Sequence, residues 1–299
     1  MKIDSGQLAA FFAVLREGSF EAASRRLNVT PSAVSQRVKL LEERLGQILI
    51  NRKTPSVPTP AGEPLARLAM QINLLEEEAL REMGGDPLES DSPVWLPIAV
   101  NGDSLDNWFF EALDALPAEA RMVFDIRMED QDYSATLLRE GTVMAAVTTD
   151  ATPVQGCEVE RLGVMRYLAV ASPAFIERYF AAGVTDDGLH AAPMLVFNQK
   201  DSLQQRFVDS VTQRPLSPLQ HTIPSTACFV EMVLRGLGWG MMPEIAARAA
   251  LAQGRLKEIL PGHWLDIPLY WQHWRIRSQA LMVLTSAVRR TAALHLRTS

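Results

Sequence analysis

Residues 18–45 constrain the fold more tightly than any other stretch, because they read as two short helices joined by a tight turn. Ser19 is placed to N-cap a helix that carries Phe20, Ala23 and Leu27 at three- and four-residue spacing. Asn28 tolerates the left-handed backbone that a turn at Asn28-Val29 requires. Thr30 then caps a second helix, Pro31 suits its first position, and Val34, Val38 and Leu41 keep returning to one face. The opposite face is polar and presents Ser32, Ser35, Gln36, Arg37 and Lys39. Short hydroxyl and amide groups can read base edges while cations hold phosphates, which is the division of labour a helix in a DNA major groove needs. A merely solvated amphipathic helix also has a polar face. The small residues Ala22, Ala23 and Ala33, which allow close helix crossing, and the basic hairpin that follows favour DNA.

Around this pair, residues 5–17 predict a supporting helix with Leu8, Phe11, Phe12 and Leu15 at helical spacing. After Gly46, two short apolar strands flank Arg52 and Lys53 and read as a wing whose tip can reach phosphates or a narrow minor groove. Thr59-Pro60 is expected to open a long helix running to about Met83. Leu65, Leu68, Ile72, Leu75 and Ala79 form an a/d seam along it that a second copy of the chain could bury, or that could pack on the chain's own body. Gly84-Gly85-Asp86-Pro87 and the polar residues after it predict a hinge.

Charge follows the same division. Residues 1–60 hold nine Lys/Arg against five acids, a net +4, whereas the whole 299-residue chain is at −6, so the remainder stands at −10. A basic head is drawn to phosphates and an acidic body discourages indiscriminate sticking. A hydrophobic fraction of 47% supports folding without staples, and two isolated cysteines make neither a disulfide framework nor a zinc site. The N-terminus lacks the pattern of a secretory signal, and no stretch reaches about 18 uninterrupted apolar residues, so a cytoplasmic location and no membrane partner are expected.

From Val94 onward, short strands alternate with helices: strands at 94–100, 123–128 and 143–148, helices at 104–116 and 133–140. This order predicts an open α/β sheet, with Pro97 tolerable only near a strand edge or start. A second α/β unit follows, with strands at 168–171, 194–197, around His221 and at 240–242, and helices at 173–182, 225–236 and 243–253. Leu269–Trp274 and a last helix, about 278–297, then return to the first unit. Two lobes joined by two crossovers, with a cleft between them, are the expected result.

Over its whole length the chain resembles LysR-type transcriptional regulators, and more narrowly their arginine/lysine-responsive subgroup. The resemblance is carried by the head motif around Ser32-Ala33-Val34-Ser35-Gln36-Arg37, by Leu74-Leu75-Glu76-Glu77-Glu78, by Ala99–Leu105 and by Leu269-Tyr270-Trp271. It implies a winged helix-turn-helix DNA-binding domain (1–58), a linker dimerisation helix with hinge (59–87) and an α/β effector domain (88–299). The two lobes of that domain, about 88–164 with 269–299 and about 165–268, resemble periplasmic binding proteins. It also implies double-stranded DNA with an interrupted inverted repeat as partner, L-lysine or L-arginine between the lobes, and a homodimer or tetramer. RNA polymerase is a further candidate partner.

Residue chemistry adds candidates for the effector pocket. Asp103-Ser104 follows the first strand and opens a helix whose free N–H groups can bind a ligand carboxylate, with Asn101 in the same stretch. Ser225-Thr226 stands likewise at a helix start in the other lobe. The cationic groups of a basic amino acid call for acids such as Asp103, Asp106, Glu129 or Asp130. Thr148 and Thr149 end the third strand and are expected at the same crevice. Each of these residues could instead be a simple helix cap or solvated surface. The five histidines, His190, His221, His263, His273 and His295, show no metal spacing. No nucleophile–base set, Walker loop or dinucleotide fingerprint occurs, so neither cofactor nor enzymatic chemistry is expected. The competing reading is an architectural DNA protein, or an inhibitor of replication initiation, that acts without an effector.

Overall fold

The computed structural model describes residues 3–83, 93–128 and 134–298. Helices α1 (Ser5–Glu17), α2 (Phe20–Arg26) and α3 (Pro31–Leu45) form the head. Local chemistry sets their limits. Ser19 Oγ accepts from Ala22 N at 3.1 Å, Thr30 Oγ1 accepts from Ala33 N at 3.2 Å, and Asn28 takes a φ of 52° in the turn between them. Phe11, Val14, Ala23, Val34, Val38 and Leu41 are fully buried, so one small core locks all three helices. Strands β1 (Ile50–Asn51) and β2 (Val57–Pro58) pair antiparallel as a short wing.

Helix α4 runs from Glu63 to Glu82, starting three residues later than Thr59-Pro60 suggests. Thr59 is engaged in a turn instead: its hydroxyl donates to the Ile48 carbonyl at 2.6 Å and accepts from Gly62 N at 3.1 Å. Gly62 lies so close to Leu49 that a Cβ there would fall 2.1 Å from the Leu49 carbonyl oxygen. Pro64 then occupies the first turn of the helix, where its missing N–H has no intrahelical partner to lose.

The body opens with β3 (Val94–Val100), α5 (Gly102–Ser104), a π-helical turn (Leu105–Phe109), α6 (Phe110–Asp114), β4 (Met122–Met128), α7 (Ser134–Glu140) and β5 (Ala145–Thr148). Strand β6 (Cys157–Ala171) crosses into a second lobe. That lobe comprises α8 (Pro173–Tyr179), α9 (Asp186–Ala191), β7 (Met194–Val196), α10 (Leu203–Val211), β8 (Gln220–Thr222), α11 (Thr226–Leu234), β9 (Gly240–Pro243), α12 (Glu244–Ala252) and β10 (Lys257–Glu258). Strand β11 (Trp264–Trp274) crosses back, and α13 (Gln279–His295) closes on the first lobe.

The strand order is β10-β6-β11-β5-β3-β4, with β9 also on β6, so two long antiparallel strands carry both lobes. Both exceed their sequence expectations of 168–171 and 269–274, because their outer halves, such as Glu158–Arg161, lack a clean two-residue alternation. Pro97 lies inside the sheet without breaking it. Pairing of β3 with β5 begins only at Ile98, so no ladder partner awaits the N–H that Pro97 lacks. Where the chain's tail crosses β6, Gly163 (φ 147°) is required, since a Cβ would come within 2.8 Å of the Arg297 carbonyl oxygen.

Candidate functional site

Two regions present chemistry. On the head, burial of Val34, Val38 and Leu41 turns the other side of α3 outward. Ser32, Gln36 and Lys39 are exposed, and Ser35 and Arg37 are half-buried on its flanks. Ser32 Oγ lies 3.0 Å from Thr30 Oγ1, and Lys39 pairs with Glu43 at 3.6 Å one turn on, so both stay at the surface. The wing is tied to the same helix through Glu42, whose Oε1 accepts from Leu49 N at 2.8 Å. Arg52 folds back, 3.8 Å from Glu42 and 4.9 Å over the Phe20 ring, whereas Lys53 at the tip is exposed.

In the body, a cleft of about 550 Å³ lies between the lobes, within the range of small-ligand sites. Its first wall is the junction of β3 and α5, with Asn101, Gly102 and Asp103. Tyr167, fully buried on β6, donates to Asp103 Oδ2 at 2.6 Å and holds that carboxylate in place. Asn107 donates to the Asp103 carbonyl at 2.7 Å from within the π-helical turn, and its side chain reaches the cleft as well. Single π turns recur at functional sites because the widened turn frees such groups.

The second wall is the segment 197–203 leading into α10. It is prefolded: Asp201 accepts from Phe197 N at 2.8 Å and Leu203 N at 3.1 Å, and Asn198 Oδ1 accepts from Lys200 N at 2.7 Å. Met128, Phe229, Met241 and Met242 line the cleft with apolar surface, and Lys200 and Arg206 bring positive charge to its second wall. Gln204 is buried at the floor. Behind Pro243, Glu244 and Arg297 form a two-bond fork at 2.8 and 2.9 Å, and Arg166 and Asp266, on the paired strands β6 and β11, form another at 2.7 and 2.8 Å. The hydrogen bonds from Arg297 and Arg166 hold the Glu244 and Asp266 carboxyls below their ordinary pKa.

This combination of head and body is the deciding observation. Residues 5–63 match the bacterial regulatory helix-turn-helix protein, lysR family, and residues 98–294 match the LysR substrate binding domain. The chain belongs to the LysR family of transcriptional regulators. It is 41% identical over 285 residues to the lysine export transcriptional regulatory protein LysG of Corynebacterium glutamicum, covering 94% of this chain and 95% of that one. The crystal structure of ArgP from Mycobacterium tuberculosis is similar at 45% identity and a TM-score of 0.88, covering all of both chains. Full-length LysG from Corynebacterium glutamicum with bound effector Arg is similar at 38% identity and a TM-score of 0.78, covering 99% of this chain and 100% of that one.

In this LysR-family chain, the sequence candidates divide. Asn101, Asp103 and Thr226 come together at the cleft; Ser104, Thr148, Thr149 and Ser225 are not among its lining residues. The reasons are local. Ser104 is fully buried, Thr148 Oγ1 accepts from Asp150 N at 3.1 Å, and Ser225 Oγ accepts from Cys228 N as a helix cap. Glu129 and Asp130 lie outside the described residues, as does the hinge at 84–87. Sequence reasoning missed Asn107, Tyr167 and the 197–203 segment. Asn107 is four residues from Asp103 on one helical run and was within reach of a spacing argument, whereas Tyr167 is 64 residues away. No helix among the described residues is long and apolar enough to cross a membrane, and no cluster of three or more His, Cys, Asp or Glu that could hold a metal occurs among them.

Proposed function

We propose that this LysR-family regulator binds a basic amino acid, L-arginine or L-lysine, in the interlobe cleft and thereby controls genes of basic amino-acid export or metabolism. The observation that carries the reading is the Asp103 carboxylate, held by Tyr167 at the mouth of a cleft whose opposite wall bears Lys200. A zwitterionic ligand with a second cation fits that polarity, with its cationic end on Asp103 and its carboxylate toward Lys200 and Thr226. The similarity to a LysG structure that holds arginine supports the assignment. On DNA, Ser32, Ser35, Gln36 and Arg37 read base edges, while Lys39, Arg52 and Lys53 hold phosphates.

The assembly is a homodimer or a dimer of dimers, because α4 has two apolar faces. Leu65, Ala69, Met70 and Leu74 are buried against the chain's own head and body, whereas Leu68 and Leu75 are exposed, with Ile72 half-buried between them. A second copy of the helix covers that stripe. The domain limits we assign are 1–58, 59–87 and 88–299. An architectural protein without an effector has no use for a cleft that sets a carboxylate and cations among apolar side chains.

The test is calorimetric titration of the full chain with L-arginine, L-lysine and a neutral amino acid. Saturable heat with a basic amino acid, absent with the neutral one and weakened by Asp103→Asn, is the expected outcome. No heat together with an unchanged melting temperature sinks the effector assignment.

A further inference from the structure

The cleft and the DNA-reading helix sit on different parts of the chain, and the covalent link between α4 and β3 runs through residues 84–92, outside the described residues. Several contacts join them, Arg67 of α4 donating to the Arg139 carbonyl of α7 among them, and one ties α4 to the helix that packs beside the cleft. Glu78, half-buried on α4, caps the N-terminus of α13: its Oε1 accepts from Ser278 Oγ at 2.7 Å and Ala280 N at 3.0 Å, and its Oε2 accepts from Gln279 N at 3.2 Å. Ser278 also caps α13 itself, accepting from Leu281 N at 3.2 Å. The N-terminus of a 17-residue helix concentrates unsatisfied N–H groups and positive potential, so a carboxylate from another element is a strong fastening there.

Helix α13 in turn packs against the helical run that opens at the cleft. It packs against α6, the π-helical turn and β6, with His295 2.7 Å from Glu111 of α6, and Thr285 Oγ1 accepts from Trp271 Nε1 of β11 at 3.0 Å. Trp271 stands beside Phe109 of the π turn, ring centroids 6.3 Å apart, and the same turn holds Asn107 on the Asp103 carbonyl. On the other side, α4 packs against α1 of the head, where Phe12 and Arg16 lie over Trp95 of β3, Arg16 at 4.3 Å from the ring centroid.

We propose that Glu78 is the positioning residue that couples the effector lobe to the DNA-binding head. A ligand on Asp103 and Asn107 shifts the π-turned helix against α13, and the Glu78 cap makes α4 follow α13 and carry the head with it. Coupling of this kind requires that the cap be held to different degrees in two states of the protein. The effector arm of the test rests on the reading of the cleft given above; the ligand-free arm does not.

The experiment compares the full chain with Glu78→Gln, Glu78→Ala and, as a control, Glu76→Ala at an exposed position of the same helix. Amide hydrogen exchange is measured without ligand. Affinity for a duplex selected by the unaltered protein from a random pool is then measured by fluorescence anisotropy, with and without L-arginine, and L-arginine binding is measured by calorimetry. Both Glu78 variants are expected to keep L-arginine affinity within about twofold while the arginine-induced change in DNA affinity shrinks to below about twofold, a loss of most of a typical coupling. Amides of 279–281 and along 63–82 are expected to exchange faster, with Glu76→Ala unchanged. Acceleration confined to 279–281, or an arginine response equal to that of the unaltered protein, overturns the proposal. If the unaltered protein binds no L-arginine, the effector assignment fails by itself, and exchange along α4 still decides the role of Glu78. If Glu78→Ala does not fold, the isosteric Glu78→Gln carries the same comparison.

Discussion

Gln36 and Lys53 stand on the head with their polar ends in solvent, whereas Asp103, Asn107 and Asp201 in the cleft are already hydrogen-bonded to their own chain. The contrast follows from what each region meets. A duplex presents many phosphates and base edges at once, so each contact can be weak, solvated and nearly independent. A small ligand offers few polar groups, so its partners must be held in place beforehand, or the cost of ordering them consumes the affinity. Head residues are therefore expected to act separately and cleft residues as a unit.

The largest test of that difference is a double-mutant cycle in the cleft. Asp103→Asn removes the charge that faces the ligand's cation and is expected to cost about 1.5–3 kcal/mol of L-arginine binding, roughly ten- to a hundredfold. Tyr167→Phe, which removes the hydroxyl that holds that carboxylate, is expected to cost about 0.5–1.5 kcal/mol. The double variant should fall short of the sum by at least about 0.5 kcal/mol, because the Tyr167 hydroxyl holds the same carboxylate that Asp103→Asn removes. Strict additivity in calorimetry refutes a preorganised pair. At the head, Gln36→Ala is expected to cost about 1–3 kcal/mol against the selected duplex and to relax base preference at one position. Lys53→Ala should weaken all duplexes alike and lower the salt slope by about 1, and the two changes should add. Non-additive loss would show that the wing and α3 are one unit, as the Arg52–Glu42 contact hints for its neighbour.

The two regions also differ in how far they could be read beforehand. The head was legible because each device is local: Ser19, Asn28, Thr30 and Pro31 lie within 13 residues, and their caps and turn form as their spacing requires. The cleft was legible only where a strand end meets a helix start, as at Asn101, Asp103 and Thr226. Ser104 and Ser225 share that signature and yet face inward or cap their own helix, because helix-start chemistry does not tell which way the next turn rolls. Tyr167 reaches Asp103 only through the fold of a long crossover strand whose first half carries no alternation to announce it.

A smaller effect probes the ion pairs behind the cleft. Hydrogen bonds from Arg297 and Arg166 lower the pKa of Glu244 and Asp266 below their ordinary values of 4.5 and 3.8. A carboxyl whose folded pKa is depressed stabilises the fold fully above its unfolded value, and that contribution fades as pH falls through the folded one. Arg297→Ala should therefore lower the melting temperature by a few degrees at most at pH 7, since the pair is partly exposed. Below the depressed pKa values the variant and the unaltered chain should melt together. A gap that persists in acid would mean that Arg297 acts through packing on the β6 crossing instead.

The smallest expected effect marks the edge of the cleft itself. Cys157 is buried, and burial pushes its thiol up to about 11, so almost none of it is thiolate at pH 8. Cys228 is exposed in the first turn of α11, between the cleft residues Thr226 and Phe229, yet is not itself a lining residue. A thiol reagent at pH 8 should modify one cysteine per folded chain quickly, lose that reaction in Cys228→Ser, and reach the second only after denaturant. Because Cys228 is exposed and is not among the residues that line the cleft, L-arginine should change its rate by less than about twofold. Strong protection would place the ligand deeper along α11 than Thr226 and would shift the recognition of its carboxylate from the Lys200 wall to the α11 helix.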